Sequence, residues 1–94
     1  MAVNPQIGSN TQVVTAGTAV VAIPPNPAGG FIENPIDAPG PLYVDPTIPA
    51  STTGNGSCFA IQPGQRWDVI PGQTTNTSVN SLNDGHQFSA VYWT

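Results

Sequence analysis

Charge is scarce in this sequence. One of the 94 residues is basic and five are acidic, whereas an average globular domain of this length carries roughly 23 charged residues. Because soluble monomers depend on charged surfaces to stay dispersed, we expect much of this surface to lie against other protein. The formal net charge of −4 also argues strongly against nucleic acid as a partner, since binding phosphates requires basic side chains.

Cysteine and long hydrophobic runs are scarce too. Cys58 is the only cysteine, which excludes an intrachain disulfide and a cysteine-based metal cage. No run approaches the roughly 18 apolar residues of a membrane span, and residues 1–5 lack the basic and apolar regions of a signal peptide. We therefore expect synthesis in the cytoplasm, no membrane partner, and no metal or other cofactor.

Proline and glycine are abundant and punctuate the chain. The sequence holds 11 Pro and 10 Gly, and either residue is costly inside a helix, so helices of ordinary length are nearly excluded. Between these breaks, aromatic and β-branched residues recur in short bursts that are typical of strands. The predicted strands cover residues 12–15 and 18–23 (one strand or a pair broken near Gly17), 30–34, 42–45, 58–62, 65–70, 78–82 and 87–93.

The turns between these strands indicate an all-β fold. Pro-Gly at 63–64 and 71–72 fits type II turns, Asn83-Asp84-Gly85 fits a hairpin turn, and 47–57 has the composition of a long exposed loop. About seven short strands at this spacing predict a single antiparallel β-sandwich or jelly-roll-like domain at 12–94, after an extended arm at 1–11. The last strand is apolar on both faces, so we expect it to be central in the sandwich or pressed against a partner.

Few residues offer chemistry. His86 and Asp84 could form a general base or a metal site, but they stand in a turn sequence without a second histidine, which favours a structural role. Cys58 lies in an apolar strand, 28 residues from the single histidine, which favours packing over nucleophilic catalysis. We expect no catalytic, cofactor-binding or metal-binding residue, and hence no enzyme.

The acidic residues and the single arginine raise two further alternatives. Glu33, Asp37 and Asp45 could share a calcium ion, but no EF-hand spacing supports this, and solvent-facing loop carboxylates are the favoured interpretation. Arg66 and Asp68 share one face of a strand, where they either pair or reach charges of a neighbouring subunit. The strand aromatics could stack on sugars, although core packing and subunit contact are favoured. The interface candidates are Arg66, Asp68, Trp67, Trp93 and Tyr92.

The order of motifs from Val13 to Trp93 resembles small β-sandwich virion proteins of tailed bacteriophages, of the capsid decoration or cement type. A Thr/Val-rich strand leads to Gly-Gly-Phe-Ile-Glu-Asn-Pro at 29–35 and Pro-Leu-Tyr-Val-Asp at 41–45. A Gly/Ser/Thr loop then precedes Cys-Phe-Ala-Ile-Gln-Pro-Gly-Gln-Arg-Trp-Asp-Val at 58–69, whose Pro-Gly turn would form a hairpin. Phe-Ser-Ala-Val-Tyr-Trp at 88–93 closes the chain.

The resemblance implies a structural role in the virion. Such a protein decorates or cements the capsid surface without catalysis, and its partners are the major capsid protein and copies of itself, for instance in a trimer. The arm at 1–11 would lie over a neighbour. Two alternatives stay open, a structural component of the head–tail junction, tail or fibre, and a surface module that binds host glycans.

Overall fold

The protein consists of short β-strands. The computed structural model describes residues 5–6, 10–13, 15–54 and 56–93, and none of these is helical, so the all-β prediction is confirmed. Among the described residues there is accordingly no helix that could cross a membrane. The strands are β1 (Pro5–Gln6), β2 (Asn10–Val13), β3 (Val20–Ile23), β4 (Gly29–Glu33), β5 (Leu42–Asp45), β6 (Phe59–Ile61), β7 (Arg66–Asp68), β8 (Thr77–Asn80) and β9 (His86–Trp93).

These strands form two antiparallel sheets. In sheet A the order is β1, β9, β4, β7, and β2 pairs with the same edge of β9 as β1 does. In sheet B the order is β3, β8, β5, β6. β9 therefore lies between other strands of sheet A, which gives it a central position in that sheet. Contact of its outer apolar face with a partner, the other alternative, stays a prediction.

The pairing is nested along the chain. β5 pairs with β6, β4 with β7, β3 with β8 and β2 with β9. The chain thus forms one long antiparallel hairpin, with its tip between β5 and β6, and this hairpin is folded over into two layers. The additional pairs β4–β9 and β5–β8 complete the sheets. This connectivity is that of a jelly roll, one of the two architectures that the sequence predicted.

The predicted hairpin at Asn83-Asp84-Gly85 is wrong. This turn joins β8 of sheet B to β9 of sheet A, and Pro63-Gly64 likewise joins β6 of sheet B to β7 of sheet A. Gly64 and Gly85 do adopt positive φ, 87° and 69°, so the local turn chemistry was identified correctly. A turn within a sheet and a turn between sheets use the same residues, and only distant pairing distinguishes them.

The first predicted strand is a broken pair. β2 belongs to sheet A and β3 to sheet B, so the single-strand alternative is wrong. The crossing is fixed by two backbone hydrogen bonds to the β8–β9 turn, from Gly17 N to Ser81 O at 3.0 Å and from Gly85 N to Val13 O at 2.9 Å. Of the predicted arm at 1–11, residues 5–6 and 10–11 pair with β9, while 1–4 and 7–9 lie outside the described residues. The domain boundary at residue 12 stays a prediction.

The core lies between the sheets and follows the predicted alternation. Phe88 and Ala90 of β9 point inward and Tyr92 packs beside them, while Val91 and Trp93 lie on the other face. Phe59 and Ile61 of β6 share the inner face, as predicted. Sheet A contributes Val13, Ile32, Phe88 and Ala90 to the buried cluster, sheet B contributes Ile23, Leu42, Val44, Ile61 and Val79, and Val69 follows β7.

Candidate functional site

His86 is the centre of a buried polar network. Its Nε2 lies 2.8 Å from Oδ1 of Asn34, and its Nδ1 lies 2.7 Å from Oγ of Ser81. Asn34 Nδ2 donates to the carbonyl oxygens of Gly40 and Ile61, both at 3.0 Å. Because both amide hydrogens are used in this way, Oδ1 is an acceptor and His86 Nε2 carries the proton. Nδ1 then accepts from the Ser81 hydroxyl.

This hydrogen-bond network has a structural role, because it connects the two sheets. His86, Asn34 and Ser81 are all buried, and burial lowers the pKa of His86 below its usual 6.5, which keeps the ring neutral. Ser81 Oγ also accepts from Asn83 N at 3.0 Å. The Ser–His–Asn arrangement resembles a catalytic triad in composition only, because no substrate can reach a fully buried hydroxyl. The sequence placed His86 in the turn before the last strand, whereas it is the buried first residue of β9; the Asn-Pro at the end of β4 was the one available signal for Asn34.

Asp45 is buried rather than solvent-facing, so that interpretation was wrong. Its Oδ1 accepts four hydrogen bonds, from Thr47 N at 2.9 Å, Thr47 Oγ1 at 3.0 Å, Ile48 N at 3.1 Å and Ser57 Oγ at 2.7 Å. Burial raises the pKa of Asp45, but these hydrogen bonds together outweigh it and bring the pKa below 3.8. The carboxylate therefore fixes both ends of the segment 46–57, which joins β5 to β6.

Most of the described residues of the segment 46–57 are exposed, as predicted, but the segment lies over the outer face of sheet B, where Ala50 is buried. Ala50 N donates to Ser78 Oγ and Asn80 Nδ2 donates to Ala50 O, both at 2.8 Å. Ser78 and Asn80 occupy the face of β8 opposite to the core residue Val79. β8 is consequently buried on both faces, because the loop supplies partners for the polar side chains that would otherwise face solvent.

The predicted calcium alternative is not supported by the placement of its residues. Glu33 lies on the outer face of sheet A, Asp37 in the β4–β5 loop, and Asp45 under the segment 46–57. Within the part of the chain that the structure describes, no group of three or more His, Cys, Asp or Glu could hold a metal ion. Cys58 is buried, and its thiol donates to the carbonyl oxygen of Ser51 at 3.2 Å.

At one end of the sandwich two strands end in charged residues, the buried Asp45 of β5 and the exposed Asp68 of β7. The three connections at this end, 24–28, 46–58 and 69–76, contain no charged side chain, and we call these connections the neutral end. They are joined by hydrogen bonds from Asn26 N to Gln73 O, from Gly72 N to Pro27 O and from Gln73 Nε2 to Pro46 O. Asp37 and Asp84 lie in connections at the opposite end. There, Asp84 Oδ1 accepts from Ala16 N at 2.6 Å.

A groove of about 350 Å³ opens between the neutral end and the outer face of sheet B. We call it the neutral groove, because every residue that lines it is uncharged. Val21 and Ile48, both more than half exposed, supply its largest apolar side chains. Its lining comprises the apolar residues Ala19, Val21, Pro25, Ile48 and Pro49 and the polar residues Thr47, Thr74, Thr75, Asn76 and Ser78.

Arg66 pairs with Glu33 rather than with Asp68. Arg66 Nη2 lies 4.0 Å from Glu33 Oε1, and the guanidinium carbon lies 3.9 Å from the centroid of the Phe31 ring. Glu33 faces Arg66 directly across the β4–β7 pair, and Phe31 faces Asp68. Residues directly opposite in an antiparallel pair have Cβ atoms about 5 Å apart, closer than residues two apart on one strand. The shared face of Arg66 and Asp68 is confirmed.

The remaining interface candidates divide between the two faces of sheet A. Trp67 and Tyr92 face inward and pack against the core, and the Trp67 ring lies 5.4 Å from that of Phe59. Trp93 lies on the outer face, where its indole covers Gly29 so closely that a Cβ there would meet the ring at 2.5 Å. The outward set on this face is thus Arg66, Asp68 and Trp93, and the structure adds Phe31 and Val91 to it.

Searches of protein-family models, of curated proteins and of solved structures gave no match to this chain.

Proposed function

We propose that this protein is a non-enzymatic structural component of a tailed bacteriophage virion, which decorates or cements the capsid surface. The observation that carries the proposal is the unequal distribution of charged side chains between the connections at the two ends of the jelly roll. The connections of the neutral end and the lining of the neutral groove contain no charged side chain, while Asp37 and Asp84 lie in connections at the far end. This distribution suits a protein that docks through the uncharged connections and faces solvent with the other end.

The neutral end suits burial against a protein shell. Covering a charged side chain costs much free energy unless it is paired, whereas hydroxyl and amide groups need only a hydrogen-bond partner. Thr47, Thr74, Thr75 and Asn76 supply such groups around the groove, and Val21 and Ile48 supply apolar area. The partner on this surface is the major capsid protein. Each contact is modest, and many copies act together on the lattice.

The chemistry of the interior supports a non-enzymatic role. The serine, histidine and asparagine that could have formed a nucleophilic site are enclosed in the core, where they hydrogen-bond to each other. Asp45 uses its carboxylate to hold the segment 46–57 beside the groove. The proposed location is the outer surface of the virion, after synthesis in the host cytoplasm.

The proposal is tested by the temperature at which capsids are disrupted, measured with and without bound protein. We expect the protein to raise this temperature, and equal temperatures would contradict a cementing role. A tail or fibre component would also leave the capsid temperature unchanged, and electron microscopy with a labelled antibody would then locate it on the particle.

A matched pair of variants tests the docking surface. Ile48 at the neutral groove and Leu82 at the opposite end are 57% and 61% exposed, so aspartate at either position leaves the fold intact, within about 0.5 kcal/mol of unfolding free energy. We expect Ile48→Asp to weaken capsid binding at least about tenfold, because a carboxylate would be buried on docking. Leu82→Asp should bind like the natural protein. Equal binding by both variants would exclude the neutral groove as the docking surface.

A further inference from the structure

β7 is an open edge of sheet A. It pairs with β4 on one side, and the described residues provide no strand on its other side. Asn34 N donates to Gln65 O and Val69 N donates to Gly30 O, both at 3.0 Å. Since the backbone groups of an antiparallel strand alternate in direction, residues 65, 67 and 69 bond to β4. The N–H and C=O groups of Arg66 and Asp68 therefore point away from it.

The side chains on this edge carry opposite charges at matching positions. Arg66 and Asp68 lie on the outer face, one residue to each side of Trp67. A twofold axis through Trp67 would place Arg66 of one copy opposite Asp68 of another, and the symmetry would repeat the contact. The chain has a single cation, so this edge is its one place for such a reciprocal pair.

We propose that β7 pairs with β7 of a second copy of this chain, antiparallel and centred on Trp67, so that two A sheets become one continuous sheet. In this register Arg66 and Asp68 of the second copy form a hydrogen-bonded pair, in which each residue donates its N–H to the carbonyl of the other. The backbone groups that point outward are the ones this pairing requires. The interface is isologous, as expected of a symmetric dimer.

Two exposed isoleucines lie beside this edge. Ile70 and Ile36 are 55% and 86% exposed, and Ile36 lies next to Gly64, with its Cγ1 3.7 Å from where a Cβ on Gly64 would stand. The register centred on Trp67 brings Ile70 of the second copy level with Gly64. Each end of the short strand pair therefore gains an apolar contact, which removes exposed apolar area from water.

Short charged edge strands often serve to prevent pairing with another chain. The signs of the charges distinguish an edge that prevents pairing from one that favours it. A protective edge carries charges that repel in any register. Here the antiparallel register centred on Trp67 attracts, whereas a parallel alignment would set Arg66 against Arg66. The edge thus selects one arrangement of the second copy. The inference does not depend on the proposed function, since it concerns the purified chain alone.

The first test is the mass of the protein in solution by analytical ultracentrifugation, from about 10 µM to 1 mM because a contact of this size is weak. We expect the mass to rise from 9.7 kDa toward twice that value. Arg66→Asp and Asp68→Arg each place like charges at both symmetric contacts, so each should raise the dimer Kd about tenfold or more. An equimolar mixture of the two variants should dimerise again, because their charges are complementary.

Gln87→Arg is the matched control, since Gln87 is exposed on the segment of β9 that pairs with β2, away from β7. It should dimerise like the natural protein. Circular dichroism checks that each variant is folded, and recovery of the dimer in the mixture shows that both partners are. The inference would be overturned if the natural protein stayed monomeric at every concentration. It would also be overturned if the protein formed a trimer whose stability did not change in the charge variants.

Amide hydrogen exchange provides a second, residue-specific readout. The N–H groups of Arg66 and Asp68 point away from β4, so they exchange freely in a monomer. In the dimer they should be protected at high protein concentration and lose that protection on dilution. The N–H of Val69, which bonds to Gly30 within one chain, should not depend on concentration. A dimer whose Arg66 and Asp68 amides exchange freely would place the contact elsewhere.

Discussion

The hydrogen bond of 2.8 Å between His86 Nε2 and Asn34 Oδ1 joins the first residue of β9 to the residue that follows β4. Asn34 then extends the connection to the other sheet through its hydrogen bond to Ile61 O in β6. A single asparagine therefore ties sheet A to sheet B at the end of the sandwich opposite to the neutral end. All of its side-chain partners are buried or partly buried, so the network is costly to disrupt.

Replacing this asparagine should destabilise the fold strongly. Asn34→Ala leaves His86 Nε2 and the carbonyls of Gly40 and Ile61 without their partner, and each unpaired buried group costs about 1–3 kcal/mol. We expect a loss of about 3 kcal/mol in the free energy of unfolding, measured by urea denaturation. Asn76→Ala, at an exposed position beside the neutral groove, is the control and should change stability by less than about 0.5 kcal/mol. Equal losses in the two variants would contradict the role of Asn34.

Stability should fall as the pH drops below 6.5 because of His86. Its pKa in the folded protein is below the 6.5 of the unfolded chain, so the unfolded state takes up a proton first. The stabilisation is complete above pH 6.5 and is lost progressively between 6.5 and the folded pKa, by at most about 1.4 kcal/mol per pH unit. Urea titrations at closely spaced pH values measure this slope. In His86→Gln the slope over this window should vanish, and a slope that persists there would assign the effect to another group.

Asp45 should stabilise the segment 46–57 locally, and this stabilisation should be lost at a lower pH than that of His86. Its folded pKa is below 3.8, so its contribution is present above pH 3.8 and is lost as the pH falls toward the folded value. Asp45→Ala removes the acceptor of four hydrogen bonds and should cost about 2–4 kcal/mol. Asp45→Asn retains an oxygen acceptor and should cost less. Amide exchange at Thr47 and Ile48, measured by NMR, should accelerate more in the alanine variant, and equal rates in all three proteins would contradict this account.

The strands themselves could be predicted from local sequence. Proline, glycine and β-branched residues define β5 at residues 42–45, the bounds that the structure has, and β4 within one residue. The assignment of strands to sheets could not be predicted in the same way. The turn at 83–85 looks like a hairpin locally, and only the pairing of β8 with β3 and β5 places it between sheets.

The burial of these polar side chains could not be predicted from the local sequence, for a related reason. His86 and Asp45 appear in polar turn sequences, where exposure is the normal expectation. Their burial depends on partners from distant elements: His86 meets Asn34, 52 residues away in the chain. The partner of Arg66 was missed in the same way, because Glu33 becomes its neighbour only through the register of β4 and β7. The faces of the residues in β4, β6 and β9, by contrast, follow from alternation, whereas an irregularity between Val21 and Ile23 breaks the alternation in β3.

Gly30 should be among the least replaceable residues of the sheet. Its φ is +148°, a conformation that residues with a side chain rarely adopt. A Cβ there would also collide with the carbonyl oxygen of Val91 and with Cα of Tyr92 in the neighbouring β9. Because this part of β9 is held between β1 and β4, its backbone cannot move aside without breaking pairs on both edges. We expect Gly30→Ala to cost more than about 3 kcal/mol in the free energy of unfolding, or to prevent folding.

Gly17→Ala separates this steric effect from backbone strain alone. Gly17 has a φ of +85°, but a Cβ there would meet no atom within 4 Å. Its replacement should therefore cost only about 1 kcal/mol, the penalty for a left-handed conformation with a side chain. Thermal unfolding of the two variants, followed by circular dichroism, measures the difference. If Gly30→Ala were as stable as Gly17→Ala, β4 could not pack against β9 as closely as it does here, and the central pair of sheet A would have to be wider.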